Sequence, residues 1–202
     1  MVIERFIPRI LTNGIINKNY KTEEDIKVEV SSIQQGFDAI YKTAIFEDNY
    51  FSYYQSIGFQ SYITLTFKKY IFISHFAIRP HISFNKQWCP PKNISLTSCL
   101  EGMCTISHKE EASEKYETTE MVLTTVTPSV SNVFNFSMSG VGTCQENPYW
   151  HTINRIEIFG ISCDTKEECN GKLLNNIIVR TCKSRLRTHI SHISFILIAI
   201  GK

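Results

Sequence analysis

Short stretches in which apolar and polar residues alternate constrain the fold of this chain more than any other feature. In SYITLTF (61–67), Ile63, Leu65 and Phe67 alternate with polar residues, which is the pattern of a strand with one buried face. IFISHFAIRP (71–80) has β-branched and aromatic residues on both faces, as a central strand does, and it ends at a proline. The segments that read as strands are GIINKN (14–19), IKVEVSSI (26–33), SYITLTF, IFISHFAIRP, NISLTSC (93–99), EMVLTTVT (120–127), NVFNFSMSG (132–140) and INRIEIFG (153–160).

Helical character is weak and confined to GFDAIYKTAIF (36–46) and the region around TKEECNGKLLNN (165–176). Many short strands with few helices predict an all-β fold, an antiparallel sandwich or barrel. In INRIEIFG, alternation places Ile156 and Ile158 on one face and Arg155 and Glu157 on the other. Gly160 and the polar residues after it are expected to end this strand.

The composition indicates a globular protein of ordinary size. The chain has 202 residues, of which 43% are hydrophobic and 12% aromatic, and its formal net charge is +2. This length can bury a substantial core, and the small charge gives no electrostatic case for nucleic-acid binding. No apolar run has the length of a signal peptide or of a membrane span. The expectation is a soluble, cytoplasmic protein.

The seven cysteines contain no C-x-x-C pair. We therefore predict mostly free, buried thiols, with a zinc site disfavoured by the spacing. Two sequons, at Asn93 and Asn135, would matter only in a secreted protein. The sequence also lacks a P-loop, a glycine fingerprint, a nucleophile elbow and an H-E-x-x-H motif. These absences favour a chain that is not an enzyme and that needs no cofactor.

The order of four stretches resembles the discoidin, or coagulation-factor type C, domain family, in the short form found in protists. The stretches are SYITLTFKKYIFISHFAIRPH, PKNISLTSCLEG, FNFSMSGVG and INRIEIFG. The resemblance covers about residues 10–162 and implies a galactose-binding-like jelly-roll β-sandwich whose loops at one end bind a ligand. Residues 163–202 then form a C-terminal extension, basic at first and apolar at its end.

Several positions depart from the family pattern. Tyr62 stands where the family usually has tryptophan, and no cysteine precedes Cys89 to join the ends of the domain. Sugar-binding members often hold a structural calcium partly through a glutamate that matches Arg155 here. A fixed cation at that position repels calcium, which needs several oxygen ligands, so no metal is expected.

Three aromatic-rich stretches fall where such domains place their ligand loops. They are EDNYFSYYQ (47–55), RPHISFNKQW (79–88) and ENPYW (146–150). Aromatic rings can cover the apolar face of a sugar, while arginine, asparagine and histidine supply donors and acceptors for its hydroxyls. The predicted ligand-binding residues are Tyr50, Arg79, His81, Asn85, Trp88, Tyr149 and Trp150.

Each candidate has a structural alternative. The aromatic side chains could belong to the core, and Arg79 could pair with a neighbouring acid. The basic cluster before the apolar end, RTCKSRLR (180–187), is read as a solvated face rather than a nucleic-acid site. The predicted function is a non-catalytic module that recognises a glycan or glycoprotein. The alternative is an intracellular domain that binds another protein.

Overall fold

Seven antiparallel strands make up most of the structure, a computed structural model that describes residues 14–16, 25–31, 54–56, 58, 60–80, 91–111, 116, 120–141 and 151–171. The strands within these ranges are β1 (Ile26–Val30), β2 (Tyr54–Gln55), β3 (Gln60–Pro80), β4 (Pro91–Leu100), β5 (Met103–Glu110), β6 (Val122–Val141) and β7 (Thr152–Cys163). Residues 15–16 and 166–171 are helical.

Strands β3 and β6 are long and each joins two of the predicted segments. Residues 60–66 of β3 pair with 133–139 of β6, and residues 71–78 pair with 122–131. Between these two parts the register shifts at the segment after Thr66, where Lys68 and Lys69 are exposed. Such an irregularity bends a strand. The two long strands therefore pass from one half of the sheet into the other.

The two halves pack face to face as a sandwich. One half contains β1, β4, β5 and the paired first part of β3 and second part of β6; the other contains β2, β7 and the remaining parts of β3 and β6. Phe76 of one half contacts Phe136 of the other, with ring centroids 5.4 Å apart. Both belong to one buried cluster built mainly of isoleucine and phenylalanine. The predicted all-β antiparallel sandwich is confirmed.

Three local predictions differ from the structure. Strands β2 and β5 are absent from the predicted set: β2 has two residues and lies at the end of the predicted ligand stretch 47–55, and the first four residues of β5 are exposed, so its sequence shows no alternation. Ile15 and Ile16, predicted as part of a strand, are helical. Gly160 does not end β7, which continues to Cys163 with Gly160 paired to Ile73. The boundaries 10–162 and 163–202 stay predictions.

The prediction of free thiols is wrong for four of the seven cysteines. Cys99 and Cys104 face each other across the β4–β5 turn and form a disulfide, and Cys163 forms another with Cys169. Sequence spacing cannot give disulfide connectivity, whereas strand register brings the first pair together. Disulfides persist mainly in oxidising compartments, so the compartment in which the chain folds decides whether these bonds form. The cytoplasmic location stays a prediction.

Candidate functional site

The beginning of β7 is buried on both faces, and a register shift there changes the direction of its side chains. Pro80 of β3 pairs with Ile153, whereas Arg79 pairs with Arg155, so Asn154 is an extra residue in β7. This bulge lets Ile153 and Ile156 both join the core. Asn154 is fully buried, and its side-chain oxygen accepts a hydrogen bond from Arg79 Nε.

Arg79 therefore occupies a defined position at the end of β3. Its side chain is half-buried and bonded to the amide of Asn154, a partner that the sequence did not suggest. Asn154 was not predicted as a site residue, and an asparagine within a strand pattern gives no signal that it fixes an arginine. The bond holds the Arg79 guanidinium at the strand end where the predicted ligand loop begins.

The strand ends that flank the three predicted ligand stretches meet at one place. Tyr54 and Pro80 both pair with Ile153, and His151 directly follows the stretch ENPYW. The stretches 47–55, 79–88 and 146–150 thus connect to neighbouring backbone positions. Of the predicted site residues, Arg79 is described; Tyr50, His81, Asn85, Trp88, Tyr149 and Trp150 lie outside the described residues.

His151 ties this end of the sandwich together. Its Nε2 lies 2.7 Å from the Gly140 carbonyl, which can only accept, so Nε2 carries the proton. Nδ1 then accepts from the Ser61 hydroxyl at 2.8 Å. The His151 amide donates to Ser56 Oγ at 3.0 Å, and the Ser56 amide donates to the His151 carbonyl. The neutral imidazole thereby connects β3 with β6, and the His151 backbone joins the residue that precedes β7 to Ser56, the residue that follows β2.

Burial lowers the pKa of His151, because desolvation disfavours the charged ring. The unfolded chain, with an ordinary histidine pKa near 6.5, therefore binds a proton more readily than the folded one. Stability should be complete above about pH 6.5 and should fall as the pH drops from there toward the lowered pKa of the folded state. Each unit of lowering adds about 1.4 kcal/mol to this loss.

The measurement is the urea midpoint of the protein and of His151→Gln between pH 7.5 and 5. The variant lacks the titrating ring, so its stability should depend less on pH than that of the parent. Equal slopes for the two proteins would mean that His151 does not contribute. The sequence did not indicate a role for this histidine, because its partners Ser56, Ser61 and Gly140 become neighbours only in the folded chain.

A buried ion pair lies on the face of β7 opposite the core. Arg155 and Glu157 are 1% and 0% exposed, and Arg155 Nη2 lies 3.5 Å from Glu157 Oε2. Glu157 Oε1 accepts hydrogen bonds from the amides of Ile16 at 2.8 Å and Ile158 at 3.0 Å. Glu157 thus fixes the segment around Ile16 over this face of the sheet. The alternation predicted for Arg155 and Glu157 is present, and both are buried.

Clusters of acidic, histidine and cysteine side chains are absent from the described part of the chain. No group of three or more histidine, cysteine, aspartate or glutamate side chains is clustered within it. Arg155, at the position that the resemblance relates to a calcium ligand, places a cation in the interior instead. No helix among these residues has the length and apolarity needed to cross a bilayer.

Solved structures show the same fold. A family 32 carbohydrate-binding module, CBM32-3 of a family 31 glycoside hydrolase from Clostridium perfringens, matches with a TM-score of 0.57 and 10% identity, covering 69% of this chain and 93% of the module. This is a discoidin-type fold. The family 32 module of Clostridium perfringens NanJ, solved in complex with galactose, matches with a TM-score of 0.53 and 12% identity, covering 68% and 96%.

A third match is a point mutant of the chitosan-binding module 1 of a chitosanase/glucanase from Paenibacillus sp. IK-5. Its TM-score is 0.54 at 11% identity, and the match covers 73% of this chain and 98% of the module. No family model matches this chain, and no curated protein does. At these identities the comparisons concern the fold.

Proposed function

We propose that this chain is a non-catalytic module that binds carbohydrate through loops at one end of its sandwich. The observation that carries the proposal is that the described strand ends beside three aromatic-rich stretches meet at the start of β7, where Tyr54 and Pro80 both pair with Ile153. Several structural neighbours are carbohydrate-binding modules, which supports the same function.

The chemistry of the three stretches suits a sugar. Besides Tyr54, which is buried in the core, they contain five tyrosine or tryptophan residues that could cover the C–H face of a pyranose, namely Tyr50, Tyr53, Trp88, Tyr149 and Trp150. Arg79 adds a guanidinium with several donors for hydroxyl or carboxylate oxygens. The hydrogen bond to buried Asn154 fixes the Arg79 side chain, which reduces the conformational entropy that the side chain loses when a ligand binds.

One observation favours protein binding as a second candidate. Strand β5 is at the edge of the described sheet, and it exposes Met103 and Ile106 at 69% and 63%. An edge strand presents unpaired backbone groups that a partner strand can use. A pull-down with the parent protein and with Ile106→Lys tests this candidate separately from sugar binding.

The sugar site is tested with Trp150→Ala and Arg79→Ala. Each change should weaken glycan binding by about 1–2 kcal/mol, the scale of one stacking contact or of a few hydrogen bonds. Trp150→Ala should leave stability nearly unchanged, while Arg79→Ala should cost about 1 kcal/mol, because Asn154 loses a partner. Binding is measured on a glycan array and then by calorimetry, with melting temperatures recorded in parallel.

Lys68→Ala is the matched control for Arg79→Ala. Lys68 is an exposed cation in the bend of β3, in the segment that follows Thr66, far along the strand from Arg79. The Lys68→Ala variant should bind the glycan as the parent protein does.

A loss of about 3–5 kcal/mol of stability in Trp150→Ala, without a specific defect in binding, would assign the tryptophan to the core and reject this site.

A further inference from the structure

A second concave surface lies on the outer face of the half-sheet that contains β4 and β5. It is a groove of about 640 Å³ that crosses the first part of β3, the second part of β6, and strands β4 and β5. Its lining residues are mostly small and polar; those facing outward are Gln60, Tyr62, Asn93, Ser95, Lys109, Glu111, Ser137 and Ser139.

Strand register arranges the groove in two rows. Tyr62, Ser137, Ser95 and Lys109 are successive partners across four strands. Gln60, Ser139 and Asn93 form the row beside it. Four strands span about 14 Å at the usual spacing. The groove therefore has the length of a short oligosaccharide and not of a single sugar.

The outward-facing side chains of the groove are mainly serine hydroxyls and asparagine and glutamine amides, beside the buried Ile94 and Met138. Hydroxyl and amide groups both donate and accept hydrogen bonds, as sugar hydroxyls do. The sole tyrosine among the outward-facing residues, Tyr62, is 43% exposed and offers a ring face for stacking.

Lys109 forms an ion pair with Glu111. Glu110, which also lines the groove, accepts a hydrogen bond from the Tyr116 hydroxyl and lies 3.4 Å from His108 Nε2. The charged groups of the lining thus have partners of their own, which suits a neutral ligand.

Hydrogen bonds hold this surface in place before a ligand binds. The Tyr62 amide donates to Ser31 Oγ at 3.0 Å, and the Ser31 amide donates to the Tyr62 carbonyl at 3.1 Å. Asn93 Nδ2 lies 3.4 Å from Ser139 Oγ, and the Ser137 hydroxyl donates to Asn135 at 2.7 Å. A surface ordered in this way loses little conformational entropy on binding.

We propose that the groove is a second carbohydrate site, which takes a neutral oligosaccharide lying across β3, β6, β4 and β5 with Tyr62 stacked on one ring. It is separate from the loop site near Arg79 and does not depend on it.

The test compares neutral hexasaccharides, including cellohexaose, mannohexaose and chitin hexaose, with their monosaccharides by calorimetry. The parent protein should bind at least one hexasaccharide about tenfold more tightly than the monosaccharide. Tyr62→Ala should weaken hexasaccharide binding about tenfold, the effect of losing one stacked ring. Tyr62→Phe should keep the affinity of the parent protein. The Trp150→Ala variant should still bind the hexasaccharide more tightly than the monosaccharide. This result would separate the groove from the loop site.

Leu123→Ala is the matched control, because Leu123 is 44% exposed, close to the exposure of Tyr62, and lies outside the groove. Ser137→Arg fills the groove from an exposed position and should abolish hexasaccharide binding even if Tyr62→Ala fails to fold. Equal affinity for hexasaccharide and monosaccharide, or unchanged binding in Ser137→Arg, would overturn the proposal. An N-linked glycan on Asn93 of the natural protein would also overturn it, since that glycan would occupy the groove.

Discussion

Replacing Glu157 with leucine should destabilise the protein by about 3–5 kcal/mol, the usual result of removing one partner from a buried ion pair. Arg155 would keep its charge in the interior, where its Nε and Nη1 already have no hydrogen-bond partner among the described residues. The change also removes the acceptor for the amides of Ile16 and Ile158. The measurement is the urea midpoint at pH 7, at which the carboxylate is ionised in the unfolded chain.

Two variants separate the ion pair from the loss of packing. Arg155→Met combined with Glu157→Leu should recover much of the stability, because two apolar side chains of similar size leave no buried charge. Glu29→Leu breaks the exposed Lys27–Glu29 pair, in which both side chains are at least half exposed, and should change stability by at most about 1 kcal/mol. A double variant no more stable than Glu157→Leu would show that the charge on Arg155 is not the cause.

The same cluster explains a glycine near the start of the chain. A β-carbon on Gly14 would lie 2.0 Å from Cδ of Glu157, so residues 14–16 can approach this carboxylate only with glycine at that position. Ile16 is helical here, and its amide bonds the carboxylate of Glu157 instead of a neighbouring strand. The predicted strand GIINKN therefore fails at these residues because a distant carboxylate takes the backbone donor.

The sequence predicts the longer strands whose two faces differ and misses β2, which has two residues, and β5, whose faces do not differ at its start. β3, β4, β6 and β7 each bury alternating apolar side chains over part of their length, and the alternation in the sequence locates them. The first residues of β5 are exposed on both faces, so no pattern marks it. Its pairing with β4 arises from the turn at Glu101 and Gly102, both of which have a positive φ.

The chemistry of the candidate site is less accessible to sequence reasoning. Arg79 was predicted, but its partner Asn154 becomes a neighbour only through the bulge between β3 and β7. Full burial of Arg155 and Glu157 could not be expected, since charged residues are rarely buried completely. The groove depends on register across four strands, and register is a property of pairing that a single segment does not encode.

Gly160→Ala should be the most disruptive single-methyl change in the described part of the chain. The added β-carbon would lie 1.8 Å from the carbonyl oxygen of Phe72 and 2.9 Å from its carbonyl carbon. These are backbone atoms of the central strand β3, which cannot rotate away as a side chain can. Strands β3 and β7 would have to separate at the Ile73–Gly160 pair. We expect a loss of more than about 3 kcal/mol, or failure to fold.

Gly171→Ala is the matched control for this change, measured by the same urea unfolding at pH 7. A β-carbon at Gly171 meets no atom within 4 Å, and the residue lies in the helical segment after Cys163, where alanine is favoured over glycine by about 0.5–1 kcal/mol. The control should therefore be as stable as the parent or slightly more so. If Gly160→Ala unfolded at the same urea concentration as Gly171→Ala, β7 could not approach β3 as closely as the pairing of Gly160 with Ile73 requires. The buried start of β7, which positions Arg79 and His151 at the candidate site, would then need a different register.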